Sequence, residues 1–266
     1  MNPLAVNGTT LFFEECGPEA GPPVLMVHGH PFDRTLWRLQ TAALAAAGHR
    51  VIAPDLRGYG ESGVVPGVTP FEVFADDLIA VLDHLGIGRA VVCGVSMGGQ
   101  IAMEVLRRHP GRVRALVLSD TSPAPETEEG RKFRRELADR LVSEGMGPYA
   151  DEVIGRMLAP YNVTGMPEAA AHVDGMMRGT DPEGAAAALR GRAERPDYRP
   201  VLAACPVPCL VLVGADDEYT PVEEAERLHA LIPDSRLVVI ENAGHLPGVE
   251  QPESFNRALL DFLTAL

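Results

Sequence analysis

Short apolar runs alternate with longer stretches of mixed apolar and polar residues along most of this chain. Six of the apolar runs have the length of a strand, and they cover residues 24–27, 50–53, 90–94, 113–118, 209–213 and 236–240. Because polar residues rarely interrupt these runs, they predict strands that are buried on both faces. The stretches between them predict helices on both sides. The pattern therefore indicates an α/β fold with a mostly parallel, doubly wound sheet.

The first third of the chain contains two further local signals. Asn7-Gly8 stands between two apolar stretches and predicts a hairpin turn, so residues 4–13 are expected to form two antiparallel strands. A helix with one apolar stripe is predicted after Thr69, which can cap it, and Gly86 is expected to end it. Since that stripe faces the sheet, we assign it to the core and not to a ligand site.

The alternation stops between Asp120 and Pro208, where strand patterns give way to four helix-forming segments. An insertion of this length between two strands has to pack over part of the sheet, and the carboxyl edge is the economical place. We therefore predict that residues 1–120 and 208–266 form the core, and that residues 121–207 form a helical cap over it.

The predicted cap holds five of the nine methionines, together with several tyrosines. Methionine is flexible and polarizable, so these side chains suit either an adaptable apolar pocket or the packing of the cap onto the core. For the pocket, we predict five substrate-binding residues, four in the cap and one beside a late histidine: Tyr149, Met157, Met176, Met177 and Leu246.

A Gly-x-Ser-x-Gly pattern centred on Ser96 stands where a predicted strand passes into a predicted helix. A sharp turn of this kind needs small neighbours, which Gly94 and Gly98 supply. The turn would expose the Ser96 hydroxyl at the top of the sheet. It would also leave the N–H of Met97 at a helix start, directed toward a developing anion.

Acidic residues and a histidine follow the last two predicted strands. Asp216 and Asp217 come just after one strand and His245 just after the next, at the edge where open α/β sheets place their sites. A serine hydroxyl needs a histidine to take its proton, and that histidine needs a carboxylate to orient it. Ser96 and His245 are therefore the predicted nucleophile and base. The acid stays open between Asp216, Asp217 and Asp120, which ends an earlier strand.

Composition narrows the range of partners. The chain has 266 residues and a formal net charge of −14, which argues against nucleic acid and anionic membranes as partners. We see no leader or membrane-length apolar run, and the cysteines and histidines lack disulfide or metal spacing. We therefore expect a cytoplasmic protein with no metal, no cofactor and a small-molecule partner. The sequence leaves a homodimer open.

Five motifs together resemble those of α/β-hydrolase fold enzymes. They are residues 27–31, residues 54–62, the serine turn, residues 214–221 and residues 242–245. In pattern, the chain is most similar to small carboxylesterases, 3-oxoadipate enol-lactonases and cofactor-free haloperoxidase-like hydrolases. The resemblance implies an α/β-hydrolase fold and an acyl-enzyme mechanism on a carboxylic ester or lactone. The cap adds the expectation that this substrate is small or medium and apolar.

The resemblance also implies particular roles. The family's acid usually lies three residues after the glycine and four before the proline of residues 214–221, which selects Asp217. The oxyanion hole is implied to consist of the backbone N–H groups of Met97 and His30. His30 departs from the family, which commonly has an aromatic or aliphatic residue there. Its ring is expected to be incidental, although a ring turned into the pocket would add a titratable donor.

The same residues are compatible with other activities. Cofactor-free peroxidase or perhydrolase chemistry and the hydrolysis of a carbon–carbon bond both use such a triad. A ligand receptor of this fold, without catalysis, is a further alternative. Dehalogenases and epoxide hydrolases of the fold carry aspartate at the nucleophile position, so Ser96 argues against both.

Overall fold

The computed structural model describes residues 2–266, and an eight-stranded sheet forms its centre. The strands are β1 (Asn2–Val6), β2 (Thr9–Cys16), β3 (Pro23–Val27), β4 (Arg50–Pro54), β5 (Ala90–Val95), β6 (Val113–Ser119), β7 (Cys209–Gly214) and β8 (Ser235–Ile240). Their order is β1-β2-β4-β3-β5-β6-β7-β8. Strand β2 is antiparallel to both of its neighbours, β1 and β4, and the six strands β3–β8 are mutually parallel. The predicted α/β class is confirmed, and each of the six predicted strands is present to within one residue at either end.

Helices cover both faces of this sheet. In chain order they are α1 (Arg38–Ala46), α2 (Phe71–His84), α3 (Met97–Arg108), α4 (Glu128–Glu144), α5 (Met146–Met157), α6 (Pro160–Gly165), α7 (Pro167–Gly179), α8 (Pro182–Ala193), α9 (Arg199–Ala203), α10 (Val222–Leu231), α11 (Pro247–Glu250) and α12 (Pro252–Thr264). One apolar layer packs α1 and α12 against the sheet, and the opposite layer packs α2, α3 and α10. Strands β5 and β7 are buried along their whole length, as a doubly wound sheet requires. Within residues 2–266, none of the helices is both long and apolar enough to cross a membrane.

The two local signals near the N-terminus have different outcomes. The hairpin prediction is confirmed, because Asn7 and Gly8 both have positive φ, at 43° and 77°. The predicted cap of α2 is wrong: the N-cap is Pro70, and no side chain caps the helix. Thr69 has another partner, since its N–H donates to the carbonyl of Ala187 at 2.9 Å.

Helices α4–α9 fall within the segment predicted as the cap, and we keep the name cap for residues 121–207. Helix α8 packs directly on loops of the remaining chain. A Cβ on Gly184 would lie 2.1 Å from the carbonyl oxygen of Gly58, and one on Gly191 would lie 1.7 Å from that of Thr69. Only glycine permits such close backbone contacts, so α8 packs tightly against the core at these two points. The division into core and cap stays our proposal.

Candidate active site

The turn between β5 and α3 holds Ser96 in a strained conformation, with φ 55° and ψ −118°. Such a backbone costs about 1–3 kcal/mol and persists only where its surroundings fix it. Here the fixing is close packing: a Cβ on Gly94 would lie 2.3 Å from the carbonyl oxygen of Gly98. The Thr121 hydroxyl also donates to the Ser96 carbonyl at 2.7 Å. The turn therefore has the geometry that the glycine pattern predicts.

His245 and Asp217 lie together at the ends of the last two strands. The Nδ1 of His245 is 2.9 Å from Oδ2 of Asp217, and both side chains are buried. The Tyr219 N–H donates to the other carboxylate oxygen at 2.8 Å, and the Thr220 hydroxyl donates as well. Burial acts to raise the pKa of Asp217, but His245 and these donors outweigh it, so the pKa is lowered. Asp217 is therefore held as an anion beside the histidine.

The other two candidate acids have different surroundings. Asp216 is exposed, and it accepts a hydrogen bond from the Tyr161 hydroxyl, so the structure does not bring it to His245. Asp120 is buried, and each of Asp120, Asp217 and His245 offers an atom within 4.8 Å of the others. Burial and the charge of Asp217 raise the pKa of Asp120 well above its usual value. This favours the neutral form of Asp120 beside the charged pair.

This group of three could in principle hold a metal ion, because its ligand atoms are close together. Their oxygens are already used, however. Asp120 accepts from the Gly214 N–H at 2.9 Å and from the Ser119 hydroxyl, and Asp217 accepts from His245 and its own loop. Every carboxylate oxygen of the group thus already accepts a hydrogen bond, so the donor set fits a hydrogen-bonded network better than a metal centre.

The loop after β3 lies directly against the serine turn. A Cβ on Gly29 would be 3.3 Å from Cβ of Ser96 and 3.0 Å from the carbonyl oxygen of Val95. His30 follows in this loop. On the other side, Met97 is the first residue of α3, so its N–H has no partner within the helix. Both predicted oxyanion donors therefore belong to segments that flank Ser96, and their role stays a prediction.

The ring of His30 is more involved than we expected. It is buried, and Nδ1 is 2.9 Å from the hydroxyl of Tyr59. Within the described residues Nε2 has no hydrogen-bond partner, and His30 lines the cavity above Ser96. Burial, followed by the charges of Arg192 and Arg134, lowers the pKa of His30 well below its usual value. This favours the neutral ring, whose Nε2 is buried and has no hydrogen-bond partner among these residues.

A cavity of about 800 Å³ lies over the serine, and its wall includes Ser96, His245 and His30. Of the predicted substrate-binding residues, Tyr149 and Met157 on α5 also line it.

Three predicted substrate-binding residues do not line this cavity. Met176, Met177 and Leu246 are buried in the hydrophobic core instead. The physical reason for the two methionines is that α7 packs against α5, and it is α5 that faces the cavity. Leu246 belongs to the same buried apolar cluster as Trp37 and Phe255, and with them it lines a separate, smaller cavity.

The cavity wall also contains a set of charged residues that our sequence analysis missed: Glu126, Arg134, Glu136, Arg140, Glu152, Arg156, Arg192 and Arg195. The sequence offered no clear signal for them. Residues 185–189 of α8 are four alanines and a leucine, and all are buried. The two arginines that follow nevertheless differ, since Arg190 pairs with Asp139 outside the cavity wall and Arg192 lines the cavity.

A buried carboxylate links the cap to the loop that carries the histidine. Glu250 on α11 accepts hydrogen bonds from the Gly244 N–H at 2.8 Å, the Ala159 N–H at 2.8 Å and the Asn162 side chain at 2.7 Å. Gly244 immediately precedes His245, whereas Ala159 and Asn162 belong to the start of α6. The position of α6 is thus tied to the position of His245.

Known proteins resemble this chain along almost its whole length. The chain is 29% identical to 3-oxoadipate enol-lactonase 2 of Acinetobacter baylyi, over 96% of this chain and 94% of that protein. It is 31% identical to the non-heme chloroperoxidase CPO-A1 of Kitasatospora aureofaciens, over 97% of both.

Among solved structures, an esterase from Thermogutta terrifontis with malate bound is 42% identical and has a TM-score of 0.96, covering 100% of this chain and 99% of that one. The enol-lactonase from Burkholderia xenovorans is 29% identical with a TM-score of 0.92, covering 99% and 100%. A sequence profile described as "Alpha/beta hydrolase family" matches residues 24–258. The chain therefore belongs to the alpha/beta hydrolase family.

Proposed function

We propose that this protein is a serine hydrolase that cleaves small or medium esters or lactones through an acyl-enzyme on Ser96. Its kinship with an esterase and with enol-lactonases identifies it as a hydrolase of ester bonds. The observation that carries the serine mechanism is one arrangement: Ser96 in its strained turn and the hydrogen-bonded His245–Asp217 pair meet at a single cavity.

In the first half of the reaction, Nε2 of His245 takes the proton from the Ser96 hydroxyl while Oγ attacks the carbonyl carbon of the substrate. The N–H groups of Met97 and His30 stabilise the oxyanion that forms. His245 then gives its proton to the leaving alkoxide, and the bond between the acyl carbon and that oxygen breaks. Asp217 stabilises the imidazolium throughout and stays ionised.

In the second half, a water molecule takes the place of the alcohol. His245 removes its proton, the hydroxide attacks the acyl carbon, and the ester bond to Ser96 breaks as Oγ regains a proton. With a lactone the alcohol stays attached to the acyl group, so the product is a single hydroxy acid. A cavity of about 800 Å³ accommodates substrates of this size class.

The test is covalent labelling with a fluorophosphonate probe. We expect the wild type to bind one probe per chain with loss of p-nitrophenyl butyrate hydrolysis, and Ser96→Ala to show neither. Ser122 is the matched control, because it lines the same cavity and its hydroxyl donates to Glu224. Labelling that survives in Ser96→Ala, or that disappears in Ser122→Ala, would contradict the proposal. A wild type that binds esters without labelling would favour a receptor.

Peroxide chemistry without a cofactor is the second candidate, since the chain is 31% identical to a non-heme chloroperoxidase. It would use the same acyl-enzyme, with hydrogen peroxide in place of water as the second nucleophile. Formation of peracetic acid from acetate and peroxide, measured beside ester hydrolysis, separates the two. A peracid rate that exceeds the ester rate would favour this second function.

A further inference from the structure

The cavity above Ser96 carries five arginines, although the chain as a whole has a formal net charge of −14. Four of the five have a carboxylate partner, and Glu126 serves two of them. The pairs are Arg134–Glu126, Arg195–Glu126, Arg140–Glu152 and Arg156–Glu218. The positive charge of these four is thus largely offset within the protein.

Arg192 differs from the other four. Its Nε donates to Oε1 of Gln100 at 2.9 Å, and across residues 2–266 this is the one hydrogen bond of its side chain, which makes no ion pair. Burial, and then the charges of Arg134 and Arg195, push the pKa of Arg192 well below its usual value. The charge of Glu126 acts in the opposite direction, but Glu126 is already paired with Arg134 and Arg195. Since a guanidinium does not give up its proton in a protein, Arg192 is a cation with no carboxylate of its own in the described part of the chain.

The partner of Arg192 places it close to the nucleophile. Gln100 lies one helical turn after Ser96 in α3, and its N–H donates to the Ser96 carbonyl at 3.2 Å. Arg192 and Ser96 also line the same cavity, and the two terminal nitrogens of Arg192 make no hydrogen bond within residues 2–266. They are therefore available to a ligand that reaches Ser96.

We propose that Arg192 binds a carboxylate carried by the substrate, so that the substrate class is an ester or lactone that also carries a carboxylate. A guanidinium pairs with a carboxylate through two parallel hydrogen bonds, and such charge-assisted pairs are the strong ones. This inference rests on the proposed function for the reaction but not for the binding. It replaces the expectation of a purely apolar substrate.

The first test compares two esters of equal size. The carboxylate ester is p-nitrophenyl hydrogen adipate, in which a flexible methylene chain separates the carboxylate from the ester. Its neutral counterpart is p-nitrophenyl adipamate. We expect the wild type to favour the carboxylate in kcat/KM. Arg192→Met should lower kcat/KM for the carboxylate ester about 10- to 100-fold, and for the amide less than about threefold. Retained amide hydrolysis shows that this variant is folded.

Arg190→Met is the matched control, because Arg190 lies on the same helix and pairs with Asp139 outside the cavity wall. It removes the same charge and should leave both esters within about twofold, since a surface pair contributes little. Arg192→Lys should recover part of the preference. Equal losses on both esters in Arg192→Met would mean a structural role and would overturn the inference.

The second test measures binding without turnover. In a Ser96→Ala background, we expect calorimetry to detect adipate, and the double variant with Arg192→Met to bind it at least about tenfold more weakly. This result is independent of catalysis. A wild type that hydrolyses neither ester would contradict the proposed function alone, whereas adipate binding unchanged by Arg192→Met would contradict the anion site alone.

Discussion

The floor and the roof of the cavity are built in different ways. The floor consists of Ser96, Asp217 and His245, each at the carboxyl end of a strand in one continuous sheet. The roof consists of side chains from α4, α5 and α8, which meet only because these helices pack over that edge. Sheet order alone brings the floor together, whereas the roof depends on helix packing. In our proposals the floor performs the reaction and the roof selects the substrate.

The sharpest test of the floor is the identity of its acid. Asp217→Asn should lower kcat about 10⁴-fold, because the amide favours the wrong histidine tautomer. Asp216→Asn should change it less than about threefold, since Asp216 is exposed and contacts Tyr161. Steady-state kinetics on one p-nitrophenyl ester decide between them. A larger loss in Asp216→Asn would place the acid one residue earlier.

Asp120 should affect activity less, because its raised pKa favours the neutral form and His245 is hydrogen-bonded to Asp217 instead. Asp120→Asn keeps the shape and should cost less than about tenfold in kcat. Asp120→Ala should cost more, because it leaves the Gly214 N–H unsatisfied. A loss in Asp120→Asn as large as that in Asp217→Asn would show that Asp120 is the working acid.

The raised pKa of Asp120 also has a sign that stability measurements can check. The Asp120 carboxyl holds its proton more tightly in the folded state than in the unfolded state, where its pKa is near 3.8. Its contribution to the free energy of unfolding is therefore fully present below about pH 3.8 and is lost as the pH rises through the pKa of the folded state. The free energy of unfolding should fall less between pH 4 and pH 8 in Asp120→Asn than in the wild type. Parallel curves would contradict a neutral Asp120.

Between floor and roof lies the ring of His30. If the Tyr59 hydroxyl donates to Nδ1, the proton of the ring is on Nε2, which is buried without a partner within residues 2–266. Tyr59→Phe removes that donor and should lower kcat/KM by about three- to tenfold for a neutral hydrogen bond. His30→Phe should cause a loss of similar size. An unchanged kcat/KM in both variants would mean that the ring is incidental, as the sequence led us to expect.

The smallest effect expected is on chain length. Met157 lines the cavity and Met176 does not, although both are buried methionines of the cap. Met157→Ala should shift the best acyl chain by one or two carbons, since each methylene contributes at most about 1 kcal/mol. Met176→Ala should keep the profile and instead lower the free energy of unfolding by about 2–5 kcal/mol. A shift in Met176→Ala would return that residue to the substrate site.

The floor and the roof of the cavity also differ in how much of each could be predicted from the sequence. The six parallel strands and the geometry of the Ser96 turn follow from patterns a few residues long, so they could be predicted. The position of Asp120 beside Asp217 could not, because it depends on how β6 and β7 pair. The orientation of Arg192 and of the two methionines of α7 depends on which side of each cap helix faces the cavity. Composition does not determine that side, and the many methionines led us to predict an apolar pocket.

The bonds of Glu250 determine how this enzyme could be taken apart. A graft that exchanged all of residues 121–207 for the cap of another hydrolase would remove the Ala159 and Asn162 donors together. A buried carboxylate would then face His245's loop with half of its acceptors unmet. We therefore expect the exchangeable segment to be smaller than the predicted cap. A design should keep α6 together with the core, beside the loop of His245, and exchange only the other cap helices.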